Sequence, residues 1–315
     1  HDYGLDGAGS WFPLKEESKF LFLDFWKVPV GDPRRTRDGI YQEVLFNKTG
    51  MLIQLLLLDL CTFRGNWSTE AADGWVPPEG WVPSARYPSN DPNLTMLGSV
   101  QWQWLEERLR QPADVRIIGS SLPVLASFRG FAGLHAWALM PLEVERLMRL
   151  INDTAAEGVV FLSGETHWGE LSRIDTGLYP MYDLTVSGIN RINGYLSPPP
   201  PLHNDNRIGG VLENNNIGIV SIYGGTSPQI ALQLHVLRGY SIPWLLCGYL
   251  LCLCCLLEAI GVLQVKRSEC RGGERDRAAL AGPVLSILGS GGLSIWASSW
   301  APGKMYHQSG NLQVN

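Results

Sequence analysis

Three short apolar runs, Leu52–Leu58, Val115–Ile118 and Val159–Leu162, each stop abruptly at a polar or glycine-bearing turn. Continuous apolar runs of this length suit strands covered on both faces, which places them inside a sheet rather than at its rim. Between and after them, Gln101–Arg110 has the mixed apolar and charged spacing of a helix. Leu142–Asn152 does too, and it follows Pro141, a favoured first-turn residue. Farther on, Asp183–Ser187, Ile217–Tyr223 and Gln229–Val236 alternate apolar and polar residues in places, as half-buried strands do. The order β-α-β-α-β followed by a mostly β section predicts an α/β fold, compatible with a layered sandwich.

The third run carries the densest chemistry. It leads into Ser163-Gly164-Glu165-Thr166-His167-Trp168, with Glu170 close behind. Functional residues of α/β folds collect at strand ends. A carboxylate at Glu165 and an imidazole at His167 are a donor mixture that suits zinc, iron or manganese in a hydrolytic centre. Gly164 is the expected site of the sharp turn out of the sheet. An ordinary polar loop produces the same Glu-x-His pattern, so the pair alone does not decide between the two.

A chain of 315 residues with 45% hydrophobic content supports one large domain plus a tail. The formal charge of −5 supplies no global basic field, so no nucleic-acid partner is indicated and any attraction for phosphate is local. Asn47, Asn66, Asn93 and Asn152 stand in Asn-x-Ser/Thr sequons, which points to glycosylation in a secretory compartment. Cys61 is the only cysteine before residue 242, while Cys247, Cys252, Cys254, Cys255 and Cys270 crowd into the tail without a histidine partner. This is neither a disulfide framework nor a zinc knuckle.

The stretch 242–263 is long and apolar enough to span a hydrocarbon core, interrupted only by Glu258. The basic residues Lys266, Arg267, Arg271, Arg275 and Arg277 follow it and predict a cytoplasmic C-terminus. The upstream domain is then extracellular or lumenal and membrane-anchored, the alternative being a secreted protein. A buried core helix, or sequence foreign to the fold, reads the same way. The resulting division is a domain over 1–241, a transmembrane helix over 242–263 and a basic, irregular tail over 264–315. Pro198–Pro201 and Trp75–Pro92 read as surface loops, the second long enough for a rim over a pocket or a solvated insertion. Trp102 and Trp104 are expected to pack a helix, and Glu106 and Glu107 to form its solvated face.

An ordered series of blocks adds to this reading: HDYG at the start, FPLKEESKFLFLDFW, DGIYQEV, LLLLDLCTFRGNW, MLGSVQWQWLEERL, PADVRIIGSS, PLEVER and FLSGETHWGELS. In that order and spacing the chain, over roughly residues 1–240, resembles the PhoD-type alkaline phosphatase family of metal-dependent phosphomonoesterases and phosphodiesterases. The resemblance implies a metallophosphatase-like layered sandwich of two β-sheets flanked by helices. It implies metal ions (calcium, iron, zinc or manganese) and a phosphate ester substrate. By resemblance His1 is the catalytic imidazole beside the metals with Asp2 orienting it, and His167, Glu165 and Asp6 are metal ligands. Arg64, Arg207 and His135 are candidate substrate contacts, although Arg207 is equally suited to pairing with an acid and His135 to a core position.

Several departures from the family pattern accompany the match. Glu165 stands where the family usually has Asp, lengthening the carboxylate's reach by one methylene. His135 stands where a glutamate is usual, and Asp59-Leu60-Cys61 where the family has Asp-Thr-Arg, with Arg64 close by. Asp6 replaces an asparagine, and Pro123 a glutamine. By that resemblance the chain begins after the family's first metal-binding segment, and an N-terminally truncated fragment is expected. Two functions follow: a metal-dependent phosphoric ester hydrolase in the complete form, or a non-catalytic or truncated relative acting as a membrane-anchored scaffold. Weak or absent turnover is expected of this chain by itself.

Overall fold

A computed structural model of the chain describes residues 7–48, 50–70, 86–127, 135–175, 178–189, 203–225 and 228–237, and the backbone of 285–288 and 292–296. Its centre is a seven-stranded sheet in the order β1-β2-β3-β4-β6-β5-β7. These are Gln42–Lys48, Met51–Leu57, Val115–Gly119, Val159–Ser163, Pro180–Val186, Gly169–Asp175 and Arg207–Leu212 in that spatial order. The inner four, β2, β3, β4 and β6, run parallel, while β1 pairs antiparallel with β2, and β5 with both β6 and β7. The three apolar runs are thus three adjacent parallel strands, displaced by a residue or so from the sequence reading.

Side-chain alternation assigns the two faces. Leu56, Leu58, Ile118, Val159 and Phe161 pack with Trp102, Leu105 and Leu109 of α2 (Gly98–Leu109) and with Leu147 and Ile151 of α3 (Pro141–Asp153). On the other face, Ile53, Leu55, Leu57, Val115, Ile117 and Val160 join Val220, Ile222 and Leu232 of a second sheet. That sheet is antiparallel, in the order β10-β11-β8-β9, from Leu285–Leu288, Gly292–Trp296, Asn216–Tyr223 and Gln229–Val236. A leucine or phenylalanine removed from water in such a core contributes roughly 1.5–3 kcal/mol. The two sheets meet so closely that a Cβ on Gly218 of β8 would stand 2.7 Å from Val186 Cγ2, so only glycine fits there.

The observed architecture is therefore a mixed α/β layered sandwich, with α2 and α3 on one face of the large sheet and the second sheet on the other. Trp102 is buried edge-on to Trp137 and donates to Glu143, and Trp104 packs on Tyr41, as helix packing requires. Glu106 pairs with Arg110 at the surface and Glu107 is also exposed. A helix α1 (Lys15–Phe25) and the strands β1, β5 and β7 are additional to the sequence reading. Among the described residues, no helix is long and apolar enough to cross a membrane. The stretch 242–263 and the tail cysteines lie outside the described residues. Within 264–315, the described residues form the β10 and β11 hairpin.

Candidate functional site

The parallel strands β2, β3, β4 and β6 end on one side of the sheet, and their following turns are stitched together. Leu58 N–H donates to Gly119 O, and Ser120 N–H to Leu162 O. Because β6 lies between β4 and β5, residues 164–168 must cross the end of β6 to reach β5. The crossing is pinned there: His167 N–H donates to Ser187 Oγ at 2.7 Å, and Ser187 N–H to Trp168 O at 3.3 Å.

The backbone of this crossing corrects one expectation. Gly164 is not its left-handed residue; Glu165 (φ 75°) and His167 (φ 61°) are. A Cβ at 164 would meet Ser121 O at 3.5 Å, an ordinary contact. Holding two residues with side chains in that region costs on the order of 1 kcal/mol each, and such strain gathers where side-chain direction matters.

Glu165 reaches toward His135. Its Oε1 lies 3.4 Å from His135 Nδ1, with side-chain exposures of 30% and 7% respectively. The imidazole stacks on the Trp67 indole, with ring centroids 5.0 Å apart and planes within 8°. The Arg64 guanidinium lies 4.2 Å from the centroid of the same indole. Arg64 is itself buried, and its donors go to backbone: Nε to Leu60 O, and Nη2 to Gly7 O and Ala8 O. A Cβ at Gly7 would touch the Trp67 ring edge at 3.1 Å, so the first described residues of the chain close against this stack. Antiparallel pairing of Ser68 with Tyr87 joins the two ends of the 69–86 segment beside Trp67. Residues 71–85, which include most of the expected rim loop, lie outside the described residues.

His135 Nε2 is buried and has no hydrogen-bond partner among the described residues. An orphaned buried polar atom costs about 1–3 kcal/mol. An imidazole nitrogen so placed beside a carboxylate fits a cation in donor chemistry. Among the described residues, however, no group of three or more His, Cys, Asp or Glu side chains is arranged to hold a metal ion.

The remaining site expectations fall in different places. His1, Asp2 and Asp6 lie outside the described residues. Arg207 donates from Nε to Oε2 of a fully buried Glu170 at 2.6 Å, so the acid-pairing alternative is the one the geometry forms. Glu170, for its part, accepts from Asn204 and is turned inward rather than added to the Glu165 and His167 pair. Asp59 also serves the backbone: it accepts from the N–H groups of Ile40, Cys61 and Thr62. Asn47, Asn66 and Asn93 are exposed, whereas Asn152 is half-buried in α3.

Two contributors escaped sequence reasoning. Trp67 gave no signal beyond its place in a Gly-Asn-Trp turn. Asp183 is fully buried on β6, where it accepts from Val124 N–H, Leu125 N–H and Ser163 Oγ. Burial, partly offset by those hydrogen bonds, pushes its carboxyl up to about 6. It thereby anchors the start of the connection that delivers His135. An acid on an inward position of an alternating strand, as in Tyr182-Asp183-Leu184, is a usable sign of such an anchor.

A parallel-centred sheet backed by a second sheet, with acid and imidazole on its strand-end turns, defines a layered α/β scaffold of the kind that places ligand sites beyond the carboxyl ends of its strands. The family model of the PhoD-like phosphatases matches residues 10–187, and the chain belongs to that family. No curated protein sequence matches it. Among solved structures it is similar to one described as "Structure of PhoD", with a TM-score of 0.52 and 13% identity, covering 76% of this chain and 49% of that one. The likeness concerns the fold, and the chain spans about half the length of that structure's chain.

Proposed function

We propose that the strand-end turn carrying Glu165 and His167 belongs to a metal-dependent phosphoric ester hydrolase acting on phosphomonoesters or phosphodiesters. The observation that supports this most is the approach of Glu165 to His135, 3.4 Å apart, on the left-handed turn that also carries His167 at the ends of the parallel strands, within the span matched by the PhoD-like family. Bound cations in such centres neutralise charge that builds on the phosphoryl oxygens and lower the pKa of water. Here His167, Glu165 and His135 would supply imidazole and carboxylate donors, and Arg64, through Nη2 to Gly7 O and Ala8 O, holds the start of the described chain beside Trp67. Calcium, iron, zinc and manganese remain the metals to compare. His1, Asp2 and Asp6 are proposed to complete the donor set. A lumenal or extracellular, membrane-anchored location rests on the sequons and on the basic cluster after 242–263.

A second reading, a non-catalytic relative, is favoured by one observation: the described residues bring no three ligating side chains together. Assay of the chain, alone and with a PhoD-family upstream metal-binding segment fused ahead of it, with p-nitrophenyl phosphate and bis(p-nitrophenyl) phosphate and each metal in turn, separates the two. The hydrolase reading expects little release from the chain by itself and, from the fusion, metal-dependent release of p-nitrophenolate that falls about a hundredfold or more in His167→Ala. Absence of turnover from the fusion with every metal supports the non-catalytic reading.

A further inference from the structure

We infer that Ser187 is the positioning residue of the 164–168 turn: its hydroxyl holds the backbone that aims both Glu165 and His167. The inference rests on the hydrolase reading above for its effect on turnover, and on the turn alone for its effect on structure.

A chain of hydrogen bonds carries it. Ser187 Oγ accepts from His167 N–H at 2.7 Å and lies 3.3 Å from Thr166 Oγ1. Thr166 Oγ1 lies 3.2 Å from Trp168 O, the same carbonyl that accepts from Ser187 N–H at 3.3 Å. Each hydroxyl has one proton to give, so one assignment satisfies every contact: Ser187 donates to Thr166, and Thr166 to Trp168. Thr166 is wholly buried, while Glu165 and His167 on either side of it are part-exposed and left-handed, at φ 75° and 61°. Residues with side chains stay in that region only where their surroundings hold them there. At His167 the holding group is a side-chain hydroxyl, one that a single substitution removes. Ser187 follows directly on β6, which is paired on both sides, to β4 and to β5. It therefore transmits the position of the sheet to the two functional side chains.

The test compares Ser187→Ala, which removes the hydroxyl and keeps the backbone N–H on Trp168 O, with Ser187→Thr, which restores a hydroxyl. Amide hydrogen exchange of the full chain is the first readout. The His167 amide is expected to be protected in wild type and in Ser187→Thr, and to exchange at least about tenfold faster in Ser187→Ala. Amides that pair β5 to β6 are expected to stay protected in all three, which shows that the fold is intact. In the fusion described above, Ser187→Ala is expected to lower kcat about 10–100-fold with KM little changed, and Ser187→Thr to restore most of it. An unprotected His167 amide in wild type overturns the inference without any variant, and unaltered exchange in Ser187→Ala overturns it too. Faster exchange with wild-type turnover in the Ser187→Ala fusion overturns the positioning role and leaves the hydrolase reading standing. A wild-type fusion without turnover removes the hydrolase reading, and the exchange result then decides the inference for the turn.

Discussion

Arg207 Nε lies 2.6 Å from Oε2 of Glu170, an ion pair in which the acid is wholly withdrawn from solvent. The pair ties β7 to β5, and Asn204 secures the second carboxylate oxygen. Removing one partner of a buried pair strands the other charge, at a cost of about 3–5 kcal/mol. Arg207→Met is therefore expected to lower urea-derived stability by about 3 kcal/mol, and adding Glu170→Gln is expected to recover much of that loss. Equal stability of Arg207→Met and wild type would show that the pair is not holding the edge strand.

Asp183 predicts a pH dependence with a definite sign. Its carboxyl is raised from 3.8 to about 6, so the folded state binds that proton more tightly than the unfolded chain does. The associated stabilisation is fully present below pH 4 and is lost as pH rises through 6, amounting to about 3 kcal/mol by linkage. Asp183→Asn preserves acceptance from Val124 and Leu125, and its amide donates to Ser163, whose hydroxyl already contacts Thr185 at 2.8 Å. Wild-type stability relative to this variant should fall between pH 4 and pH 7. Parallel pH profiles for the two proteins would contradict the account.

Helix α3 ends in a left-handed residue that is not glycine. Ala155 has φ 49°, with Ala155 N–H on Asn152 O and Ala156 N–H on Ile151 O, the paired bonds of a Schellman cap. Glycine carries no Cβ penalty in that conformation, so Ala155→Gly should stabilise the protein by about 1 kcal/mol in thermal or urea unfolding. A loss of stability would mean that the cap is not formed.

The sequons are not equivalent. Asn47, Asn66 and Asn93 are exposed, but Asn152 is half-buried and the hydroxyl of its Thr154 is spent on Leu150 O and Ile151 O. In a eukaryotic secretory host, glycopeptide mass spectrometry should find glycan at one or more of the exposed three and none at Asn152. Substantial occupancy of Asn152 would require its helix end to be open when modified.

The parallel strands were readable because residues buried on both faces leave an uninterrupted apolar run, as in Leu52–Leu58 and Val159–Leu162. Strand β5 was harder. Its sequence, Gly-Glu-Leu-Ser-Arg-Ile-Asp, buries a glutamate and a serine whose partners, Arg207 and Asn204, lie more than thirty positions away. Helix α1 was obscured because its exposed positions include Phe20, Leu21 and Phe25, which blur an amphipathic pattern. At the site, Glu165 and His167 were visible as chemistry next to a strand end. The stack that organises them was not, because Arg64, Trp67 and His135 meet only after α2 and β3 have been placed.

The route of the chain from β4 to β5 has one more implication. Position 165 stands where it does because five residues must bridge a neighbouring strand's tip, whichever side chain is mounted there. Exchanging an acid of one length for another, or relocating the donor to a residue opposite, leaves that bridge undisturbed. Chemistry can be swapped on this scaffold much as a tool is changed in a fixed holder, with part of the holder's grip set by Ser187, whose hydroxyl accepts from His167 N–H and whose N–H donates to Trp168 O.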